Sequence, residues 1–353
     1  MLRLEKINKT TGDFSLCNIN LSVNKGDYFV LIGESGAGKS MLLEIITGLI
    51  KPDNGNIILN EKNIVNTPIQ KRNIGIVYQK PTLFPHMKVF DNIAYPLKIR
   101  KVPKEIIMTR VRQLAEDNEI SHLLHRYITN LSGGEAQRVT IARTLATDPD
   151  ILLLDEPLSF LDVQLRRGML SLLRKLNQSG LTIIHVTHDY EEAVALTNKI
   201  AILEKGTIIQ TGSPQEVFHN PKSEFVANFI GIKNYFKGHL TLSDDDHEMK
   251  IFETSGIKIF TLTGEETDNE GYIIISGDAI TISEEKLESS SVNNFYGSIT
   301  DIFQTRIGLE IVVDIGLEIF VHITFHSYSK LQLYIGKKVW ISFKASSVLF
   351  INT

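Results

Sequence analysis

The sequence predicts two kinds of fold in one chain: an α/β domain with a mostly parallel sheet, followed by a small all-β, barrel-like domain. Up to about residue 231, apolar strand-like runs such as 28–32 and 151–154 alternate with segments whose apolar residues have helical spacing. Strands that alternate with helices predict a parallel sheet covered on both faces. Beyond residue 233, short β-rich runs are separated by turns, which is typical of a small barrel.

The same patterns predict the domain boundaries. We expect the α/β domain over residues 1–231, with a mainly helical subdomain at about 86–145. A strand pair at 199–210 closes this domain. A β-rich connecting segment follows at 232–290, and the small β-domain occupies 291–353. The connecting segment is either a degenerate partner of the terminal domain or a structural spacer. A chain of 353 residues is long enough for such a division, because it exceeds one ordinary hydrophobic core.

The bulk composition excludes several classes of function. The 37 basic and 41 acidic residues give a net charge of −4, so no basic excess indicates a nucleic-acid partner. The single cysteine excludes a disulfide framework or a cysteine-based zinc site within one chain. The first residues do not resemble a signal peptide, and no stretch approaches the roughly 18 apolar residues that span a bilayer. Any work at a membrane is therefore expected to depend on membrane-spanning partner chains.

A phosphate-binding loop is predicted between the first buried strand and the helix after it. The residues GESGAGKS match G-x-x-x-x-G-K-[ST] and comprise Gly33, Glu34, Ser35, Gly36, Ala37, Gly38, Lys39 and Ser40. The glycines let backbone N–H groups converge on a phosphate at the positive end of the helix dipole. Lys39 would neutralise the β- and γ-phosphates, and Ser40 would bind Mg²⁺. The alternative, a chance glycine-rich turn, is disfavoured by the flanking strand and helix. The first domain is therefore expected to be a P-loop nucleotide-binding domain.

Two adjacent carboxylates, Asp155 and Glu156, end another apolar strand. Ligands of α/β sheets lie beyond the carboxyl ends of the strands, which is where this pair is expected. Asp155 suits the coordination shell of Mg²⁺, directly or through water. Glu156 could then orient and deprotonate an attacking water. Taken alone, the pair could equally be a solvated strand end.

A third motif, LSGGEAQ at 131–137, has two glycines at the start of a predicted helix. Ser132, Gly133 and Gly134 could form a second anion-binding helix start. From the residues alone, an ordinary loop with an N-cap serine is the better interpretation.

LSGGEAQ resembles the signature motif of the ATP-binding cassette (ABC) ATPase family, and the resemblance covers about residues 1–231. The other family motifs follow in order: Gln79 (Q-loop), Asp155 and Glu156 (Walker B), 159–162 (D-loop) and His188 (switch histidine). At Phe160 the family more often has a small residue. Phe14 resembles the aromatic residue that stacks on adenine.

The resemblance implies a head-to-tail homodimer that binds ATP and Mg²⁺. ATP on the phosphate loop of one copy would be covered by Ser132, Gly133, Gly134 and Gln137 of the other. The implied catalytic residues are Glu156, His188, Gln79 and Lys39, and the implied metal ligands are Ser40, Gln79 and Asp155. Gln79 would also report occupancy of the site to transmembrane permease subunits.

The segment 77–86 resembles import-type cassettes, and residues 290–353 resemble a molybdate-binding module of the transport-associated oligomer-binding (TOBE) class. The run KASSV at 344–348 is its most specific part. The implied oxyanion-binding residues are Thr324, Ser327, Lys344, Ala345 and Ser346, which would lie at a dimer interface. A lysine with hydroxyl and backbone N–H groups suits a tetrahedral oxyanion. Serines that merely end strands are the alternative.

The resemblance thus implies the ATPase subunit of a molybdate or tungstate importer, bound peripherally at the cytoplasmic face of the membrane. An extracytoplasmic oxyanion-binding protein would be an indirect partner. Oxyanion bound to the C-terminal domain would slow the pump. One alternative is an importer ATPase for sulfate, sugar, polyamine or ferric ion. Another is a soluble ABC ATPase of DNA repair or translation, although the sequence has no coiled coil, second cassette or basic patch.

Overall fold

The computed structural model describes residues 1–159, 161–229, 231–242, 249–267, 269–305 and 308–352. Phe160, noted above in the D-loop, lies outside them. The chain forms two compact units, Met1–Val217 and Phe218–Thr353. The division falls earlier in the chain than the predicted boundary at residue 231.

The first unit contains both parallel and antiparallel strands. In chain order they are β1 (Leu2–Thr11), β2 (Phe14–Val23), β3 (Tyr28–Ile32), β4 (Asn54–Leu59), β5 (Lys62–Asn63), β6 (Ile74–Val77), β7 (Ile151–Asp155), β8 (Thr182–Thr187), β9 (Lys199–Glu204) and β10 (Thr207–Gly212). The helices are α1 (Lys39–Thr47), α2 (Val89–Ile99), α3 (Lys104–Asp117), α4 (Gly133–Leu145), α5 (Val163–Gln178) and α6 (Tyr190–Leu196), and α7 (Pro214–His219) follows at the unit boundary.

The main sheet has the order β10-β9-β3-β8-β7-β6 within the described residues. Strands β9, β3, β8, β7 and β6 run parallel, and β10 is antiparallel to β9, as the predicted strand pair requires. The central strands are buried along their whole length because both faces of the sheet are covered. Ile32, Val77, Asp155 and Thr187 end their strands at one edge. The predicted site residues therefore follow along that edge.

A second sheet, β2-β1-β4-β5, is antiparallel and was not expected from the sequence. Its inward residues, among them Leu4, Leu21 and Ile57, join α1 and the main sheet in one hydrophobic core. The sheet holds Phe14, the first residue of β2, at the side of the phosphate loop.

Helices α2, α3 and α4 lie between residues 89 and 145 and pack against one another. Ile107, Val111 and Leu114 recur at helical spacing and are buried on one face of α3. None of the helices in the described part of the chain is long and apolar enough to span a bilayer.

The second unit is β-rich, as predicted. It comprises α8 (Glu224–Phe229), β11 (Tyr235–Leu242), β12 (Lys250–Thr254), β13 (Ile257–Thr261), β14 (Glu270–Ile275), β15 (Thr281–Ser283), β16 (Asn293–Gln304), β17 (Leu309–Asp314), β18 (Glu318–Ile323), α9 (Phe325–Lys330), β19 (Lys338–Phe343) and β20 (Val348–Asn352). Its described strands form two antiparallel sheets, β13-β12-β11-β14-β20 and β15-β19-β16-β17-β18.

Each of these two sheets combines strands from both sides of residue 290, where the sequence predicted a boundary. Strand β20 from the end of the chain pairs with β14, and β15 from the connecting segment pairs with β19. Phe252, Ile273, Ile311 and Phe343 belong to one core that both sheets share. The connecting segment is therefore half of a two-sheet unit and not a spacer.

Candidate active site

The phosphate loop joins β3 to α1 and leaves no room for side chains at two of its glycines. A Cβ at Gly33 would lie 2.3 Å from the backbone oxygen of Leu203. At Gly38, φ is +102° and a Cβ would lie 2.6 Å from Cζ of Phe14. Glycine alone satisfies both requirements. The structure therefore places Phe14 beside the phosphate loop, and its contact with adenine stays a prediction.

Lys39 is the first residue of α1, and its side chain is buried under the loop. Its Nζ donates hydrogen bonds to the backbone oxygens of Gly33 and Glu34, both at 2.8 Å. Burial lowers the pKa of Lys39, while the nearby carboxylates of Glu156 and Asp155 oppose this shift. A cation thus lies between the loop and the carboxylates at the end of β7.

Asp155 lies near this lysine and accepts a hydrogen bond from Ser40. Burial raises the pKa of Asp155, and a hydrogen bond from the Ser40 hydroxyl acts in the opposite direction. Within the described residues, no group of three His, Cys, Asp or Glu side chains could hold a metal ion. A hydroxyl and one carboxylate nevertheless fit Mg²⁺, which keeps several waters and binds nucleotide phosphates through few protein ligands.

Glu156 is the centre of the site and has a left-handed backbone, with φ of +44°. Its Oε1 lies 3.1 Å from Nδ1 of His188, and its Oε2 accepts a hydrogen bond of 3.0 Å from Nε2 of Gln79. The same Nε2 donates to Oγ of Ser159 at 3.1 Å. The structure thus brings together Glu156, Gln79 and His188, which follow three different strands. A carboxylate held between an amide and an imidazole can orient and deprotonate a water.

Behind His188 lies a polar cluster that sequence reasoning missed. Arg166 of α5 forms ion pairs with Asp189 and with the buried Glu192. Glu192 also accepts a hydrogen bond of 2.7 Å from Oγ1 of Thr187. The sequence signal for this cluster was the acidic pair Glu191 and Glu192 in the first turn of α6.

The signature segment forms a capping box at the start of α4. Oγ of Ser132 accepts a hydrogen bond from the backbone N–H of Glu135 at 3.3 Å, and Oε2 of Glu135 accepts one from N–H of Ser132 at 2.7 Å. The bond from the backbone N–H of Ser132 lowers the pKa of the Glu135 carboxyl. A Cβ on Gly133 would meet open space, whereas one on Gly134 would lie 3.1 Å from Cδ1 of Leu165. Gly133 therefore presents its backbone outward.

Gln137 differs from the other predicted signature residues. Its side chain is only 2% exposed, and its amide atoms have no hydrogen-bond partner within the described part of the chain. An amide buried inside its own subunit is poorly placed to touch the nucleotide of a partner. The contact of Gln137 with nucleotide stays a prediction.

The five predicted oxyanion residues form two separate groups. Thr324 caps α9, and its Oγ1 accepts a hydrogen bond of 3.1 Å from N–H of Ser327. Lys344, Ala345 and Ser346 follow β19, where 345–347 make a short 3₁₀ turn.

The strand register separates these groups. Phe343, just before the lysine group, pairs with Asn293 at the start of β16. Ile323, just before the threonine group, pairs with Leu309, which in turn pairs with Gln304 at the end of β16. The two groups therefore lie near opposite ends of β16. The structure does not bring the five residues together within one chain.

The chain is similar to known proteins over its full length. The molybdate/tungstate import ATP-binding protein WtpC of Pyrococcus abyssi is 38% identical over 353 residues, covering 99% of both chains. The spermidine/putrescine import ATP-binding protein PotA of Thermotoga maritima is 37% identical over 303 residues, covering 84% of this chain and 82% of that protein. The dimeric ATP-binding cassette MJ0796, solved in a post-hydrolysis state with ADP and phosphate, matches with a TM-score of 0.55. It is 30% identical and covers 61% of this chain and 99% of its own.

The fold and the residues around Glu156 define a P-loop nucleoside-triphosphate hydrolase. Residues 16–159 match the ABC transporter family model, and residues 289–350 match the TOBE domain. The chain belongs to the ABC transporter family. It is an ATPase whose first unit binds ATP.

Proposed function

We propose that this protein is the ATP-hydrolysing subunit of an importer for molybdate or tungstate. The observation that carries the proposal is the similarity to the WtpC protein over 99% of both chains, because it includes the β-rich unit as well as the ATPase unit. Similarity limited to the first unit would support only a transporter ATPase of unspecified cargo.

The ATP site is completed by a second copy of the chain, arranged head to tail. Within the described part of the chain, Ser132 caps α4 and Gly134 lies against Leu165 of α5. A Cβ at Gly133, in contrast, would face open space. The exposed signature backbone of one copy then covers the nucleotide held on the phosphate loop of the other. The similarity to a cassette solved as a dimer supports this arrangement. ATP bound between the copies favours the closed dimer by its differential affinity for that state.

The residues of the site then have separate roles in hydrolysis. Ser40, Asp155 and Gln79 would hold Mg²⁺, which would neutralise charge on the phosphates. Lys39 leaves its two loop carbonyls and binds the β- and γ-phosphates. Glu156 accepts a proton from the water that attacks the γ-phosphorus, and the bond to the ADP oxygen breaks.

His188 holds the attacking water and the γ-phosphate in line, so most of the rate enhancement comes from positioning. Phe14 stacks on the adenine.

Transport requires partners outside this chain. The subunit binds peripherally to transmembrane permease subunits at the cytoplasmic face of the membrane, and an extracytoplasmic protein delivers the oxyanion. Gln79 couples occupancy of the ATP site to the permease, because it contacts Glu156 and lies after an edge strand.

Oxyanion bound to the second unit provides feedback. The separation of Thr324 and Ser327 from Lys344, Ala345 and Ser346 supports a site made from two copies, one contributing each group. Lys344 is exposed and supplies the positive charge. Binding between copies would shift the dimer between two states, as feedback between distant sites requires.

The test is isothermal titration of the full chain with molybdate, tungstate and sulfate, with a parallel measurement of ATPase rate on the permease complex. The proposal expects tight binding of molybdate and tungstate, no binding of sulfate, and loss of binding in Lys344→Ala. Absence of binding to all three anions would contradict the feedback site.

Polyamine import is the second candidate, because the spermidine/putrescine relative is nearly as similar over most of the chain. Transport assays with the permease complex separate the two. Uptake of radiolabelled spermidine, with none of molybdate or tungstate, would replace the first proposal by the second.

A further inference from the structure

Arg166 joins the helix after the D-loop to the segment that carries His188. Its guanidinium donates to carboxylate oxygens of both Asp189 and Glu192. Asp189 directly follows His188, and its Oδ1 caps α6 by accepting from the N–H groups of Glu191 and Glu192 at 2.8 and 3.2 Å. One arginine thus fixes the helix start that follows the histidine.

The residue before His188 is fixed by the same cluster. Oγ1 of Thr187 donates to Oε2 of Glu192 at 2.7 Å and accepts from N–H of Asp189 at 3.0 Å. The side chain of His188, in contrast, is 54% exposed and lies 3.1 Å from Glu156. Since packing does not hold the exposed ring, its position depends on the backbone that these neighbours fix.

The cluster depends on Arg166 for its charge balance. Glu192 is buried, and burial raises its pKa, while Thr187 and Arg166 oppose that shift. A buried carboxylate is costly unless it is paired and hydrogen-bonded. Arg166 also lines the same polar cavity as Glu156 and His188, so the cluster borders the reaction site directly.

We infer that Arg166 is a positioning residue that holds His188 against Glu156 through Asp189 and Glu192. The inference rests on the proposed role of His188 in hydrolysis. It assigns no contact between Arg166 and nucleotide.

The first test uses Arg166→Met, with Arg167→Met as the matched control on the exposed side of the same helix. We expect kcat for ATP hydrolysis to fall by about 10- to 100-fold in Arg166→Met, since small displacements of a positioning group have effects of this size. KM for ATP should change by less than about twofold, because the phosphate loop is untouched. Arg167→Met should match the parent.

The second test needs no nucleotide. Hydrogen exchange of backbone amides at 186–192 should be faster in Arg166→Met than in the parent and in the Arg167→Met control. Arg166→Lys keeps the charge, but its compact and strongly hydrated ammonium replaces the Nη2 that donates to both carboxylates, so this variant should be intermediate. If Arg166→Met does not fold, Arg166→Lys and the pair Arg166→Met with Glu192→Gln, which removes the unpaired charge, make the same comparison.

A double-mutant cycle with His188→Ala distinguishes an effect of Arg166 through His188 from an independent effect of Arg166. If Arg166 acts through His188, Arg166→Met lowers kcat no further in the His188→Ala background. Equal losses in both backgrounds, or unchanged exchange at 186–192, would overturn the positioning role while leaving His188 in place. Full activity of His188→Ala would instead overturn the role of His188, and the inference with it.

Discussion

At the scale of single residues, His185 shows how burial decides a protonation state. It lies in the middle of β8 and is fully buried, and its Nδ1 is 3.0 Å from the hydroxyl of Tyr28. Burial, assisted by the positive charge of Arg166, lowers the pKa of His185 to about 3. The ring is therefore neutral in the folded chain at every pH at which the enzyme is expected to work.

This pKa predicts a loss of stability in acid. Below about pH 6.5 His185 binds a proton in the unfolded chain but not in the folded chain. The free energy of unfolding therefore decreases as the pH is lowered from about 6.5 to about 3. Between pH 7.5 and 5.5 this residue alone should remove about 1.4 kcal/mol from the free energy of unfolding. Urea unfolding of the parent and His185→Gln at both pH values measures the difference.

The exposed His125→Gln serves as the control for that experiment. The variant at His185 should lose part of the pH dependence, and the control should retain it. An identical pH dependence in all three proteins would show that His185 is not the responsible group.

Glu156 provides a second prediction at this scale. In Glu156→Gln the side chain keeps its length and its partners Gln79 and His188 remain within reach, so ATP binding should persist. The amide cannot accept a proton from water, and hydrolysis should fall by at least about 100-fold. Size-exclusion chromatography with ATP should then show a persistent dimer. A variant that hydrolyses ATP at the parent rate would remove Glu156 from the base role.

At the scale of elements, the sequence predicted those features that depend on residues close together in the chain. The phosphate loop, the strand ending at Asp155 and the periodicity of α3 all follow from residues within one or two turns of each other. The antiparallel sheet β2-β1-β4-β5 did not, because its register joins residues far apart in the chain, such as Leu2 and Leu59. The contact of Arg166 with Glu192 was missed for the same reason.

The start of α4 allows a prediction with its control in the adjacent residue. Gly133→Ala adds a methyl group that meets open space in its own chain, so folding and ATP affinity should be unchanged. The same methyl group should obstruct the close approach of the partner's nucleotide and weaken the ATP-dependent dimer. Gly134→Ala instead brings a methyl group within 3.1 Å of Cδ1 of Leu165 in α5, so Leu165 must move and Gly134→Ala should melt at a lower temperature than Gly133→Ala. Light scattering with ATP and thermal melts without it measure the two effects.

The opposite pattern, with Gly133→Ala less stable and still dimeric, would contradict the outward orientation of the signature backbone. It would also remove the structural basis for a nucleotide site shared between two copies.

At the scale of the whole molecule, the β-rich unit is one two-sheet structure with a shared core, which favours a partner of the terminal module over a spacer as the role of the connecting segment. The polar stretch near residue 290 lies at the start of the TOBE match, yet strands from both sides of it pair with one another. This strand pairing joins residues far apart in the chain, so no local sequence pattern indicated the pairing. Phe252 before the loop and Phe350 near the end of the chain lie with ring centroids 6.0 Å apart in the shared core.

The pairing of strands across residue 290 predicts which fragments of the β-rich unit fold in isolation. A fragment of residues 291–353 loses β14, the partner of its last strand, and exposes core side chains such as Phe343 and Phe350. It should therefore be unfolded or aggregated in isolation, whereas a fragment of residues 218–353 retains both sheets and should fold. Circular dichroism and dispersion of amide resonances compare the two fragments. A well-dispersed spectrum from 291–353 alone would mean that the terminal module is an independent domain and that pairing with β14 is secondary.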